Sequence, residues 1–183
     1  MKLFGLVQLP SAAFGDGSHP TTRQCARAID YLCRTRKPEA MLDVGTGTGI
    51  LARIGRAQGV PFVVGTDIDP TALAAARANV ALDQHIVEIE LSNEMPHSWG
   101  PRFDLVVANI LEAPLRALSQ SLRLALAPGG VLLLSGFMPP QAPALRALFP
   151  SCESSESTLD GWSLLMLTVN REAADPRRGC ADY

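Results

Sequence analysis

Apolar residues recur at Cys25, Ala28, Ile29 and Leu32, a helical period that predicts a helix from Thr21 to about Arg36, with Pro20 suited to its start. The pattern then changes to short apolar runs broken by glycine. Met41–Gly45 reads as a first strand, Gly49–Gln58 as a helix ending at Gly59, and Phe62–Asp67 as a second strand. Pro70–Leu82 is an alanine-rich helix with proline at its start. Ile86–Leu91 alternates apolar and acidic residues, which predicts a third strand nearer the sheet edge. After a loop over Asn93–Pro101, Phe103–Ala108 is apolar but for Asp104 and reads as a strand buried on both faces.

The alternation continues with a helix from about Glu112 to Leu126, stopped by Pro128-Gly129-Gly130, and a fifth strand at Val131–Ser135. Gln141–Phe149 follows as a short helix. Cys152–Thr158 and Trp162–Val169 then form an antiparallel pair joined around Asp160-Gly161. Five strands alternating with helices imply right-handed parallel crossovers, hence a doubly wound, mostly parallel α/β sheet with a C-terminal antiparallel hairpin. Ligands of such sheets bind at the carboxyl ends of the strands. Residues 1–170 read as one domain, 1–12 being a short amino-terminal extension, and residues 171–183 as a flexible tail.

Composition narrows the classes. The 183 residues are 47% hydrophobic and 19% charged, ordinary for a globular domain and too apolar for disorder. A net charge of −2 gives no field to attract nucleic acid, and the scattered arginines read as solvated helix faces. Four cysteines (Cys25, Cys33, Cys152, Cys180) form no C-x-x-C pair and no metal-ligand spacing with the three histidines. Reduced, mostly buried thiols are expected. The apolar run near the amino terminus is too short for a signal peptide, and no stretch approaches a membrane span. A soluble cytoplasmic protein is the expectation.

The chemistry concentrates after the first strand. Met41-Leu42-Asp43-Val44-Gly45-Thr46-Gly47-Thr48-Gly49-Ile50 runs from strand through a tight glycine turn into a helix, and the second strand ends on Asp67. This unit binds an adenosine-containing cofactor. A dinucleotide fingerprint needs its third glycine where Ile50 stands, and no P-loop lysine follows. A cofactor without phosphate, S-adenosylmethionine, fits better. Gly45 and Gly47 let the backbone approach the ligand, Asp67 accepts hydrogen bonds from its ribose, and Asp69 caps the helix that begins at Pro70. Asn109, closing the fourth strand, is either a turn residue or a contact to the cofactor's methionyl part or to an amine awaiting methylation. Ala13-Phe14-Gly15-Asp16-Gly17-Ser18-His19-Pro20-Thr21-Thr22 reads as a mobile loop over the ligand. His19 more readily shapes that loop than acts as a base, and the hydroxyls of Thr21 and Thr22 either cap the helix or touch the cofactor.

These motifs resemble the bacterial PrmA family, which methylates ribosomal large-subunit protein eleven on amino groups. The likeness rests on the His19-Pro20-Thr21-Thr22 loop and the glycine turn, on Asp67-Ile68-Asp69-Pro70 and Ala75-Ala76-Arg77-Ala78-Asn79, and on Asn109-Ile110-Leu111, Leu126-Ala127-Pro128-Gly129-Gly130 and Leu134-Ser135-Gly136. It covers roughly Ala13 to Val169. It implies a class I, Rossmann-like methyltransferase fold, with cofactor residues at Thr22, Gly45, Asp67 and Asn109. Two departures stand out. The family has a separate amino-terminal domain that reads its substrate, whereas about a dozen residues precede the loop here, so the substrate does not carry over. Asp16 and Ser18 also stand where threonines are usual.

The resulting expectation is an S-adenosylmethionine-dependent N-methyltransferase, with Asn109 positioning an amine-bearing acceptor and no metal. The alternatives are a small-molecule or peptide amine methyltransferase and a non-catalytic cofactor-binding module.

Overall fold

A computed structural model of the chain describes residues 2–11, 13–83, 89–100 and 102–169. The first strands, β1 (Lys2–Leu3) and β2 (Leu6–Val7), form a small hairpin around Phe4 and Gly5, both at positive φ as a tight two-residue turn requires. Helix α1 (Pro20–Thr35) begins one residue earlier than predicted. Its cap is His19, whose side chain accepts from the Thr21 N–H, so Thr21 and Thr22 are not the cap. The alternating unit follows: β3 (Ala40–Val44), α2 (Ile50–Ala57), β4 (Phe62–Thr66), α3 (Pro70–Val80) and β5 (Glu90–Ser92). Then come β6 (Phe103–Asn109), α4 (Glu112–Ala125), β7 (Leu126–Phe137), α5 (Ala142–Arg146), β8 (Cys152–Leu159) and β9 (Trp162–Val169).

The seven larger strands form one sheet in the order β5-β4-β3-β6-β7-β9-β8. The first five pair in parallel, and β9 is antiparallel to both of its neighbours. The order runs outward from β3 to β5 and then restarts at β6 on the other side of β3. A crevice therefore opens between the carboxyl ends of β3 and β6, where strand connections diverge.

Strict alternation along the strands supplies a core on each face. Met41, Leu105, Val107 and Leu133 pack with Cys25, Ile29 and Ile54 from α1 and α2. Leu42, Val106, Leu132 and Leu134 pack on the other face with Leu115 and Leu122 of α4 and Leu145 of α5. All five residues of β3 are buried.

Several boundaries differ from expectation. Strand β7 starts at Leu126, because Leu126 pairs with Phe103 before the register shifts ahead of Leu105 and Val131. The helix predicted over Gln141–Phe149 splits into a 3-10 turn at Pro139–Gln141 and a five-residue α5. Of the third predicted strand, Glu90–Ser92 is observed; residues 84–88 lie outside the described residues, as does the predicted tail at 171–183. The C-terminal hairpin forms around Asp160 and Gly161, both at positive φ. Among the described residues no helix is long and apolar enough to cross a membrane, and Cys25, Cys33 and Cys152 are unpaired. Burial pushes the Cys33 thiol up to about 11.

Candidate functional site

The glycine turn leaves β3 with Asp43 beneath it. Asp43 is buried and accepts from the Thr46 hydroxyl at 2.7 Å and from the Ala52 N–H at 3.1 Å, tying strand, turn and α2 to one carboxylate. Burial pushes its pKa up to about 6, against the pull of those two donors, and the charge of Asp67 adds to the rise. Above the carboxylate, each N–H of the turn donates within the protein. Gly45 and Thr46 both donate to the Thr66 carbonyl, Gly47 to Asp67 Oδ2, Thr48 to the Phe14 carbonyl and Gly49 to the Thr46 carbonyl. A phosphate cradle needs such groups free. The geometry agrees with the glycine spacing in disfavouring a pyrophosphate.

Two glycines are fixed by close approach. At Gly45 (φ +69°) a Cβ would lie 2.3 Å from Cγ2 of Ile110, across the crevice. At Gly47 (φ +55°) it would lie 2.3 Å from the Phe14 carbonyl oxygen. Both positions also demand the left-handed backbone that side chains resist. Asp67, just past β4, stands beside the turn: Oδ2 takes the Gly47 N–H at 3.0 Å and Oδ1 takes the Asp69 N–H at 3.0 Å. Asp69 caps α3 through the Thr71 N–H, as expected.

The loop before α1 is latched to this turn. The Thr48 N–H donates to the Phe14 carbonyl at 3.1 Å, and the Thr48 hydroxyl donates to the Gly15 carbonyl at 2.6 Å. Asp16 is exposed and accepts from the N–H and hydroxyl of Ser18, which hold its carboxyl below the usual carboxylate range. His19 lies edge-on to Phe14 (5.3 Å) and Trp162 (4.9 Å), a packing and capping role.

Across the crevice, β6 delivers Asn109, which is 9% exposed. Its Nδ2 reaches the hydroxyl of the fully buried Thr22 at 3.5 Å, bringing together two residues 87 positions apart. Its Oδ1 is buried with no hydrogen-bond partner among the described residues. Buried acceptors are nearly always satisfied, so an unspent one in a crevice marks a place for a donor. The five predicted site residues thus gather around one crevice: Gly45, Gly47 and Asp67 on one wall, Thr22 and Asn109 on the other. A surface cleft lined by Leu32, Arg36, Glu39, Asp104 and Pro128 lies at the opposite ends of the strands.

Sequence reading missed two charged groups. Asp43 had a signal, since a lone carboxylate inside an apolar strand must be satisfied internally. Arg53, read among solvated arginines, is fully buried, which corrects that reading. It pairs with Asp83 at 2.5 and 2.8 Å and also donates to the Gln8 side chain and the Val7 carbonyl. Its place amid Ile50, Leu51 and Ile54 was the available signal; a charge on the apolar face of a helix needs partners.

Comparison with known proteins shows the family and the fold. The family model for ribosomal protein L11 methyltransferase (PrmA) matches residues 6–163. The chain is 41% identical over 164 residues to the ribosomal protein L11 methyltransferase of Rhodopseudomonas palustris (strain BisB5), covering 85% of this chain and 55% of that protein. To the one from Geobacter sulfurreducens it is 46% identical over 129 residues, covering 70% and 42%. The chain spans about half the length of the curated relatives it matches. Among solved structures, ribosomal protein L11 methylase from Lactobacillus delbrueckii subsp. bulgaricus aligns with a TM-score of 0.73 at 30% identity, covering 81% of this chain and 78% of that one. An O-methyltransferase from Bacillus cereus in complex with SAH, 15% identical with a TM-score of 0.67, shares the fold. On sequence and structure together, the chain belongs to the PrmA family.

Proposed function

We propose that this chain is an S-adenosylmethionine-dependent N-methyltransferase whose acceptor amine is held by Asn109. The observation that carries the reading is the buried, unpartnered Oδ1 of Asn109 at the end of β6, the strand paired with the one that runs into the glycine turn. When bound, S-adenosylmethionine supplies an electrophilic methyl group and leaves as S-adenosylhomocysteine. The chain's residues would do the rest. Asp67 has lone pairs left on both oxygens to accept from the ribose hydroxyls. Gly45 and Gly47 keep side chains out of the cofactor's path. Thr22 fixes one end of the Asn109 amide, and Oδ1 accepts an N–H of the acceptor, turning its lone pair toward the methyl carbon. Catalysis on this scheme is positioning, with no acid or base among the named residues.

The names of the relatives support ribosomal protein L11 as the acceptor, and an acceptor of that kind would place the chain in the cytoplasm, where ribosomal proteins are made and assembled. Calorimetry with S-adenosylhomocysteine on the wild type and Asp67→Ala, followed by transfer of labelled methyl to ribosomal protein L11 and to a pool of amine metabolites, tests each step. Loss of binding in Asp67→Ala and labelling of the ribosomal protein are the expected results. Equal affinity of the two proteins sinks the ribose assignment. Labelling confined to the metabolite pool replaces the acceptor, and binding without any transfer leaves a cofactor-binding module.

A further inference from the structure

We propose that Gln8 is a positioning residue that fixes the roof of the cofactor site from outside it, with buried Arg53 as its anchor; the inference rests on the cofactor reading above. A fully buried guanidinium is costly unless every side of it is answered, and apolar residues would occupy the same space at no loss. Here the answer is spread over three residues in two distant segments. Asp83, just beyond α3, takes two of its N–H groups, the Val7 carbonyl takes one at 2.9 Å, and Gln8 Oε1 takes another at 2.9 Å.

Arginine can only donate, so the end of the Gln8 amide facing Arg53 must be the oxygen. That choice forces Nε2 the other way. It donates to the Gly15 carbonyl at 2.9 Å and to the Thr48 hydroxyl oxygen at 3.2 Å, the two groups that already latch the loop to the glycine turn. A second strut runs beside the first. The Leu9 N–H donates to Oδ1 of fully buried Asn79, whose Nδ2 donates to the Thr48 carbonyl. Residues 7–9 are thereby bound to α2, to the end of α3 and to the turn at once. They dictate where Phe14 and Gly15 sit above Gly47. Leu6, 9% exposed within the core, pins the segment from its other side.

Two substitutions separate anchor from latch. Gln8→Met keeps the shape and removes both functions. Gln8→Glu keeps an acceptor for Arg53 but has nothing to donate to Gly15 or Thr48. Both variants are expected to bind S-adenosylhomocysteine about fivefold more weakly, the equivalent of one lost neutral hydrogen bond. Gln8→Glu should do so with its unliganded melting temperature unchanged, a split that a merely structural role does not produce. Wild-type affinity in Gln8→Glu overturns the proposal. Hydrogen exchange at the Thr48 amide, measured without ligand, reads the same strut independently of the cofactor assignment. Faster exchange in both variants supports the strut, and unchanged exchange overturns it. A wild type that fails to bind S-adenosylhomocysteine while showing this exchange response refutes the cofactor reading and leaves the strut standing.

Discussion

The two walls of the crevice spend their hydrogen bonds differently. At the end of β3 every N–H from Gly45 to Gly49 is committed inside the protein, and Asp43 and Thr48 bind the turn to its neighbours from below and above. At the end of β6, Asn109 commits one end of its amide to Thr22 and leaves Oδ1 uncommitted in a buried place. The first wall is a finished shape that a ligand must fit. The second holds a polar atom in reserve, and a reserve of that kind is costly unless a ligand completes it. Under the proposed function the contrast divides labour: a rigid seat for the cofactor, and an open valence for the acceptor.

The most severe test attacks the finished wall. Gly47→Ala adds a Cβ 2.3 Å from a backbone oxygen at a left-handed φ, so the Phe14 loop must move. Together these cost about 3–4 kcal/mol, and S-adenosylhomocysteine affinity should fall several hundredfold by calorimetry. A loss below threefold would show that the loop's seat is irrelevant to binding. Asn109→Ala attacks the reserve instead. Methyl transfer to an amine should slow about a hundredfold, as misplacement of a reactant does, while cofactor affinity changes little. Equal losses in rate and affinity would erase the distinction between the walls.

A smaller effect lies in pH. Asp43 binds its proton more tightly when folded (about 6) than when unfolded (3.8), so the folded state holds more protons between those values. Its contribution is therefore present below about pH 4 and lost as pH rises through 6. In urea titrations across this window, Asp43→Asn should gain about 2 kcal/mol relative to the wild type, since the amide oxygen can still accept from Thr46 and Ala52. A difference that does not vary with pH rejects the account. Least is expected from Arg23→Met, which removes an exposed bridge to Asp160 on the hairpin turn. Stability should shift by about 0.5 kcal/mol or less, and a larger loss would show that this bridge ties the hairpin turn to α1 more strongly than an exposed pair does.

How far the chain could be read depended on the range of each interaction. The parallel strands were legible because a strand buried on both faces carries an apolar run, as Leu105–Ala108 does. The glycine turn and Asp67 were legible because strand, turn, helix and carboxylate lie within some thirty residues of one another. Thr22 was legible only through resemblance, because its partner Asn109 is 87 positions away and neither residue announces the other. Arg53 was misread outright. Its partners sit 45 residues earlier at Gln8 and 30 residues later at Asp83, so the one local signal, its place among the apolar residues of α2, came with no partner in view. The hairpin of β1 and β2 escaped because its strands are two residues long and carry no visible period.

The insertion of β9 between β7 and β8 has a consequence for the chain during synthesis. Leu132, Leu133 and Leu134 of β7 sit on an edge whose covering strand is the last described element to leave the ribosome. Until then a row of unpaired peptide groups flanked by leucine stands open to any neighbouring strand. Once β9 arrives, the exposed edge passes to β8, whose residues Glu153-Ser154-Ser155-Glu156-Ser157 are charged or small and offer a stray chain little to hold. The late hairpin thus exchanges a sticky margin for a repellent one, and the danger of aggregation is confined to the interval before it closes.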